Sequence, residues 1–224
     1  MHIGWFIGLS IVSTIFLVFY VLASRKVYVN RFKKNYDFRN YFPYEFNYES
    51  PFSINIIGNI ALIMACSASI GLFAMSSVKI FNNGFIIYGL ISGIVYSLLI
   101  VAINFIPLKT IKLHMVFLAF FILASFATPA AFGLAAFNVY QNTKETYPLV
   151  LFIVAAVIAL FYFGVGMNPK LTLNIKAEVE TDDKGNEVYI RPKFIVIALS
   201  EWFAIFGLPV SQILMILVME LLLR

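Results

Sequence analysis

The sequence predicts an all-α membrane protein, a six-transmembrane-helix bundle with a small β-hairpin in the loop between helices 5 and 6. Three observations lead there. Of 224 residues, 62% are hydrophobic and only 12% charged, where a soluble domain carries about a quarter; the mean hydropathy is +0.92. The charges gather between apolar stretches instead of being spread along the chain. Six of those stretches offer roughly 20 low-charge residues, the number a helix rising about 1.5 Å per residue needs to cross ~30 Å of hydrocarbon. They run approximately over 3–24, 53–78, 84–106, 113–137, 148–167 and 194–223. Membrane helices of one chain share a bundle, so 1–224 is read as a single six-span domain.

The first span lacks a basic leading region, is too long in its apolar part and has no small-residue cleavage site after it. It is therefore expected to be a retained helix and not a signal peptide. The loop 25–52 opens with "RKVYVNRFKK". Its Arg25, Lys26, Arg31, Lys33 and Lys34 read either as a contact for anionic headgroups or as plain positive-inside topology. The second span opens with Asn55 and Asn59, four residues apart and so on one helix face. The third carries Gly89 and Gly93 one turn apart, a spacing that lets helix backbones approach closely, and closes with Asn104. The fourth opens with His114. Pro129, in "ATPAAFG" of the fourth span, and Pro209, in "FGLPVSQ" of the sixth, sit in mid-span. Each removes a backbone hydrogen bond and is expected to kink its helix. The fifth span qualifies on apolar length alone.

Between spans five and six the pattern changes. Leu171, Leu173, Ile175, Ala177 and Val179 alternate with polar residues, "TDDKGN" supplies a turn, and Val188 and Ile190 alternate again. This reads as an extramembrane β-hairpin over 168–193, with a charged connector as the alternative. An isolated hairpin is marginal in water, so its apolar face is expected to lie on headgroups, on the first loop or over the mouth of the bundle.

Thirteen of the sixteen basic residues fall in the loops 25–52, 107–112 and 168–193; Lys79, Lys144 and Arg224 lie on the other side. The side rich in Lys and Arg usually stays in the cytoplasm, which places these three loops there and both termini outside, in a plasma or cytoplasmic membrane. The net charge of +5 is accounted for by topology and anionic headgroups, and no recognition motif accompanies it, so nucleic acid is excluded as a partner. The single cysteine, Cys66, permits neither an internal disulfide nor a cysteine-based zinc site. With only two histidines, one of them His2 at the opposite membrane end, no multi-histidine metal site is expected, and no cofactor motif is present.

The polar residues inside the spans are the informative ones. A carboxylate at membrane depth costs about 2.5–3.5 kcal/mol and usually faces a bundle interior or a watery cavity. Glu201 lies about 10 Å along its helix from the loop-rich boundary. Connectivity alone puts Asn55, Asn59, Asn104 and His114 toward that same membrane side, with Glu45 and Glu49 of the first loop. Together they suggest a polar pocket near one leaflet with apolar walls suited to a lipid, while each alone also reads as a helix-bridging or interfacial residue. His114 and Glu201 suit a base and its orienting carboxylate, but no nucleophile motif completes a catalytic set. Glu220, four residues before Arg224, suits a helical ion pair.

The stretches "YFPYEFNYESPF" (41–52), "AINF" (102–105), "LHMVFLAFF" (113–121) and "SEWFAIFGL" (200–208) resemble, in order and approximate spacing, the damage-regulated autophagy modulator (DRAM) family and its Frag and Sfk relatives. These share an "FPY" first-loop element, an Asn-Phe end to the third helix, a histidine opening the fourth and Glu-Trp in the last. The matching positions are Phe42, Pro43, Tyr44, Asn104, His114, Glu201 and Trp202. In that family a serine or threonine and a glycine follow "FPY", where this chain has "EFNYES", and eukaryotic relatives place the loop on the lumenal or extracellular side. The resemblance implies a role in lipid homeostasis or membrane organisation and assigns no chemistry. The leading expectation is a protein that binds or organises membrane lipids, or scaffolds a membrane-protein partner or a second copy of itself. A lipid-modifying enzyme using His114 and Glu201, such as an acyl hydrolase or acyltransferase, and a small transporter are the alternatives.

Overall fold

The computed structural model describes residues 3–47, 53–77, 83–106, 111–166, 178–181, 187–190 and 192–223. An apolar stretch surrounded by lipid has no water to bond its backbone, and a helix satisfies every N–H and C=O within the segment. The chain accordingly forms α1 (Ile3–Phe32), α2 (Ile56–Ser77), α3 (Gly84–Phe105), α4 (Ile111–Thr143), α5 (Thr146–Gly166) and α6 (Val196–Leu223). All six are long and apolar enough to cross a membrane, as an integral multi-span protein requires.

Two helices outrun their apolar spans. α1 continues about two turns past residue 24, because nothing between Arg25 and Phe32 breaks a helix. It stops at Lys33, whose φ of 55° turns the chain while its N–H donates to the Val29 carbonyl at 2.9 Å. α4 continues past residue 137 to Thr143 and stops the same way, at Lys144 with φ 59° and a 2.8 Å bond from its N–H to the Tyr140 carbonyl. Only Lys144 and Glu145 then separate α4 from α5, which forces the two to pack as antiparallel neighbours. Pro148 falls in the first turn of α5, where the missing N–H would have had no helical partner.

Helices α1 to α5 pack in chain order, each on the next, and α6 closes the arrangement against α4, α1, α5 and α3. Of the α6 span 61% is buried, against 28% for α5. The last helix is thus the central one, and its residues are the best placed to meet side chains from everywhere else.

Gly89 and Gly93 do not serve close backbone approach. A Cβ at Gly93 would stand 2.7 Å from the Phe73 ring of α2, and one at Gly89 would stand 2.9 Å from the Phe132 ring of α4. The two glycines make α3 a shelf for these rings, which lie nearly parallel at 11° with centroids 6.4 Å apart. Close approach occurs instead at Gly133, where a Cβ would meet Ala155 of α5 at 2.8 Å.

Pro129 and Pro209 both lie inside continuous helices. Five and six residues before Pro209 the carbonyls of Ala204 and Phe203 accept hydrogen bonds from the Tyr96 and Tyr162 hydroxyls, the latter at 3.2 Å. Gly207 leaves room for both tyrosines, since a Cβ there would overlap the Tyr162 hydroxyl. Around Pro129, residues Phe126, Ala127, Ala130 and Ala131 line a groove of about 630 Å³ between α3 and α4.

Of the expected hairpin over 168–193, the described residues hold two short strands, β1 (Glu178–Thr181) and β2 (Glu187–Ile190), paired antiparallel with Glu178 opposite Ile190 and Thr181 opposite Glu187. The alternating residues Leu171, Leu173 and Ile175 and the turn lie outside the described residues, as does Glu49.

Candidate functional site

The loop after α1 folds back over one end of the bundle. Pro43–Phe46 forms a single 3₁₀ turn. Pro43 suits its first position because a fixed φ and a missing N–H cost nothing there. Three residues after Phe42, Glu45 turns its carboxylate back to accept the Phe42 N–H at 2.7 Å, in the manner of a capping box. Phe42, Pro43, Tyr44, Glu45 and Phe46 are all buried.

Around this turn the aromatic residues gather in two ring clusters, one on Tyr36, Phe46 and Trp202 and one of Phe42 and Tyr44. The Tyr36 ring stacks on Phe46 at 4.3 Å, Phe42 stacks on Tyr44 at 5.3 Å, and Tyr28 meets Tyr36 edge-on at 5.1 Å. Trp202 of α6 meets Phe38, Phe46 and Tyr36 edge-on, at 4.9, 5.5 and 6.0 Å. Directed bonds fix these clusters in place. The Trp202 Nε1–H donates to the Tyr41 carbonyl at 2.9 Å and the Tyr36 hydroxyl to the Phe42 carbonyl at 2.7 Å. The Ile195 N–H donates to the Arg39 carbonyl at 2.8 Å and the Asn40 amide to the Pro192 carbonyl at 3.2 Å, which ties the loop to the chain entering α6. Burial raises the Tyr36 phenol well above its ordinary range, with Tyr20 and Glu45 adding to the effect, so it stays a neutral donor.

Beneath this roof sit His114 and Glu201, from α4 and α6. The imidazole Nε2 stands 3.9 Å from Glu201 Oε1, and the side chains are 3% and 0% exposed. The Tyr44 ring meets the imidazole edge-on at 4.8 Å. Both imidazole nitrogens and both carboxylate oxygens are buried without a hydrogen-bond partner among the described residues. An unsatisfied buried polar atom costs about 1–3 kcal/mol, more when charged, so this is where the bundle concentrates uncompensated polarity.

The asparagines occupy a different place. The Asn55 amide donates to Ser24 Oγ of α1 at 2.9 Å, to Asn47 Oδ1 at 3.3 Å and to Asn59 Oδ1 at 3.5 Å. Gly58 admits the Ser24 hydroxyl, which a Cβ there would overlap. Asn104 accepts from the Tyr20 hydroxyl and donates to the Ile100 carbonyl at 2.8 Å, while its own carbonyl accepts the Asn47 amide at 3.1 Å. These residues knit α1, α2, α3 and the first loop together. The sequence groups them with His114 and Glu201 by membrane side; the structure divides the set into a hydrogen-bonded network and a pair held between α4 and α6.

A further polar knot does not stand out from sequence. Ser10 Oγ donates to Gln212 Oε1 at 3.0 Å, Gln212 Nε2 donates to Ser13 Oγ at 3.0 Å, and Ser13 Oγ donates to the Ala65 carbonyl at 2.9 Å. Gln212 lies about 16 Å along α6 from Glu201, so the knot joins α1, α2 and α6 deep in the bundle. The signal available in sequence is the lone amide of "FGLPVSQ"; serines in an apolar helix are too common to mark a partner.

Two grooves open away from the pair. One, of about 470 Å³, lies between α1 and α6 along Ile7, Ile11, Ile15 and Ile213; the other is the α3–α4 groove beside Pro129. Among the described residues, no three His, Cys, Asp or Glu side chains group closely enough to hold a metal ion. Comparison with protein-family models, with curated proteins and with solved structures gives no match.

Proposed function

We propose that this integral membrane protein binds a membrane lipid, with the His114–Glu201 pair taking a polar group of that lipid and the aromatic first loop covering it on the headgroup side. The observation that carries this reading is the set of four buried nitrogen and oxygen atoms without hydrogen-bond partners. A carboxylate accepts and an imidazole both donates and accepts, so the pair suits a hydroxyl or amine that does the same. The asparagine network, whose side chains hydrogen-bond across α1, α2, α3 and the first loop, is structural in this reading. The resemblance to the DRAM, Frag and Sfk proteins points the same way, toward lipid organisation. In this reading the skew of Lys and Arg toward the first, third and fifth loops supports both termini outside and the first loop in the cytoplasm.

The test is lipid carried through purification. Protein extracted into detergent and then delipidated in steps is analysed by mass spectrometry beside Glu201→Gln and His114→Gln, which keep the volume of the pair. One tightly held lipid class, retained by the parent and lost from both variants with melting temperature preserved, is the expected result. Equal retention in all three removes the pair from lipid binding.

A second reading has its own observation. A histidine 3.9 Å from a carboxylate is the base and orienting half of a hydrolytic constellation. In that case the pure protein turns over phospholipid or an acyl-bearing lipid anchor, and His114→Gln abolishes it; retained lipid without product favours binding alone.

A further inference from the structure

The basic cluster after the first span is not uniform. α1 remains helical to Phe32, and its lipid-facing stripe continues through the charged end. Ile11, Ile15, Val18, Phe19 and Leu22 are 53%, 60%, 47%, 48% and 60% exposed. With the spacing of one helix face, the same stripe then presents Arg25, Lys26, Val29 and Asn30, of which Val29 is half-buried and the others exposed. The opposite face of this extension is anchored, because Ser24 is hydrogen-bonded to Asn55 and Tyr28 is buried among Phe32, Tyr36 and Tyr41. Arg25 and Lys26 therefore project from a helix whose other residues are held by these contacts.

Beyond the helix end, the turn at Lys33 carries Asn35 back toward the same side. Leu22, Arg25, Lys26, Val29, Asn30 and Asn35 line an open hollow of about 320 Å³. Two cationic side chains and two amides, beside Leu22 and Val29, are a fit for a phosphate diester, since guanidinium and ammonium bind its oxygens and the amides donate further hydrogen bonds. The other basic residues of the cluster have different settings: the Arg31 guanidinium lies 5.0 Å over the Phe32 ring, and Lys33 occupies the strained turn.

We infer that this hollow is a binding site for the phosphate of an anionic membrane phospholipid, whose acyl chains run along the Ile11–Leu22 stripe. The membrane lipid, and not a soluble phosphate ester, is the occupant because the hollow is continuous with the face that meets hydrocarbon. The site is separate from the His114–Glu201 pair and does not depend on the reading given to it.

The test compares two double variants of equal charge loss, Arg25→Gln/Lys26→Gln and Lys33→Gln/Lys34→Gln, in phosphatidylcholine nanodiscs doped with phosphatidylglycerol. Bound phosphatidylglycerol is counted by native mass spectrometry. The expected result is at least about a tenfold weaker association for the first variant, with the second close to the parent, because a diffuse surface field counts each basic residue alike. Equal weakening of both variants, or of neither, overturns the site. Competition by millimolar glycerol phosphate would assign it to soluble phosphate esters and overturn the lipid as occupant; the absence of competition supports the lipid. Melting temperatures in phosphatidylcholine alone check that both variants fold, and lipid retention by Glu201→Gln, measured in parallel, reports on the pair alone.

Discussion

Gly93 leaves Phe73 no slack: a methyl group there would stand 2.7 Å from the ring edge, closer than carbon atoms pack. Gly93→Ala is therefore expected to destabilise the bundle by about 1–3 kcal/mol, the usual cost of overpacking, read as a fall in melting temperature in detergent. An unchanged value would mean that Phe73 turns aside freely. Sequence shows that a small residue is wanted at this position and not what it accommodates, since a ring from α2 and a neighbouring backbone demand the same thing. The same holds for His114 and Glu201. That each is buried and polar follows from membrane depth; that they face each other at 3.9 Å depends on how α4 and α6 are rotated, which no local pattern states. Glu45 is the opposite case, because a carboxylate three residues after Phe42 reads as a site residue in sequence and in the structure caps its own turn.

Helix lengths are decided by different physics from helix positions. The apolar count finds the part of α1 and α4 that lipid requires, but the helix goes on until something stops it, and here that is a lysine forced to positive φ. Non-glycine residues pay about 1–2 kcal/mol in the left-handed region, while a lysine near a helix C-terminus recovers a fraction through the dipole. Lys33→Gly and Lys144→Gly are each expected to raise stability by up to about 1 kcal/mol, measured by thermal unfolding in detergent; a loss would show that charge at the helix end outweighs backbone strain. The extra turns of α1 also put Arg25 and Lys26, which in sequence open a basic loop, on a helix.

Taken as a whole, the molecule has one uneven coordinate, the distribution of Lys and Arg across the membrane. The first loop and the α4–α5 connection lie on opposite sides by connectivity, since α2, α3 and α4 intervene. In a Cys66→Ser background, Lys144→Cys is expected to react with an impermeant maleimide in intact cells and Lys34→Cys only after permeabilisation. The reverse pattern would show that the chain is inserted with its first loop outside. Either outcome leaves the aromatic roof, the asparagine network and the buried pair on one common side.

What the sequence determined by itself is that the chain is a multi-span membrane protein, the number of its long apolar helices and which polar residues share a membrane side. Those follow from hydrocarbon thickness and the obligation of every backbone group to be bonded, both of which act segment by segment. Only the tertiary structure decided which helix is central, that Phe73 and Phe132 lie on the Gly93 and Gly89 shelf, that Gln212 ties α6 to α1, and that the polar set divides into a hydrogen-bonded network, in which Asn55 Oδ1 has no partner among the described residues, and a pair with none of its four polar atoms bonded. In lipid, nearly every helix face is apolar, so hydropathy carries almost no information about rotation. The partners are chosen by shape and by scattered hydrogen bonds between residues far apart in the chain.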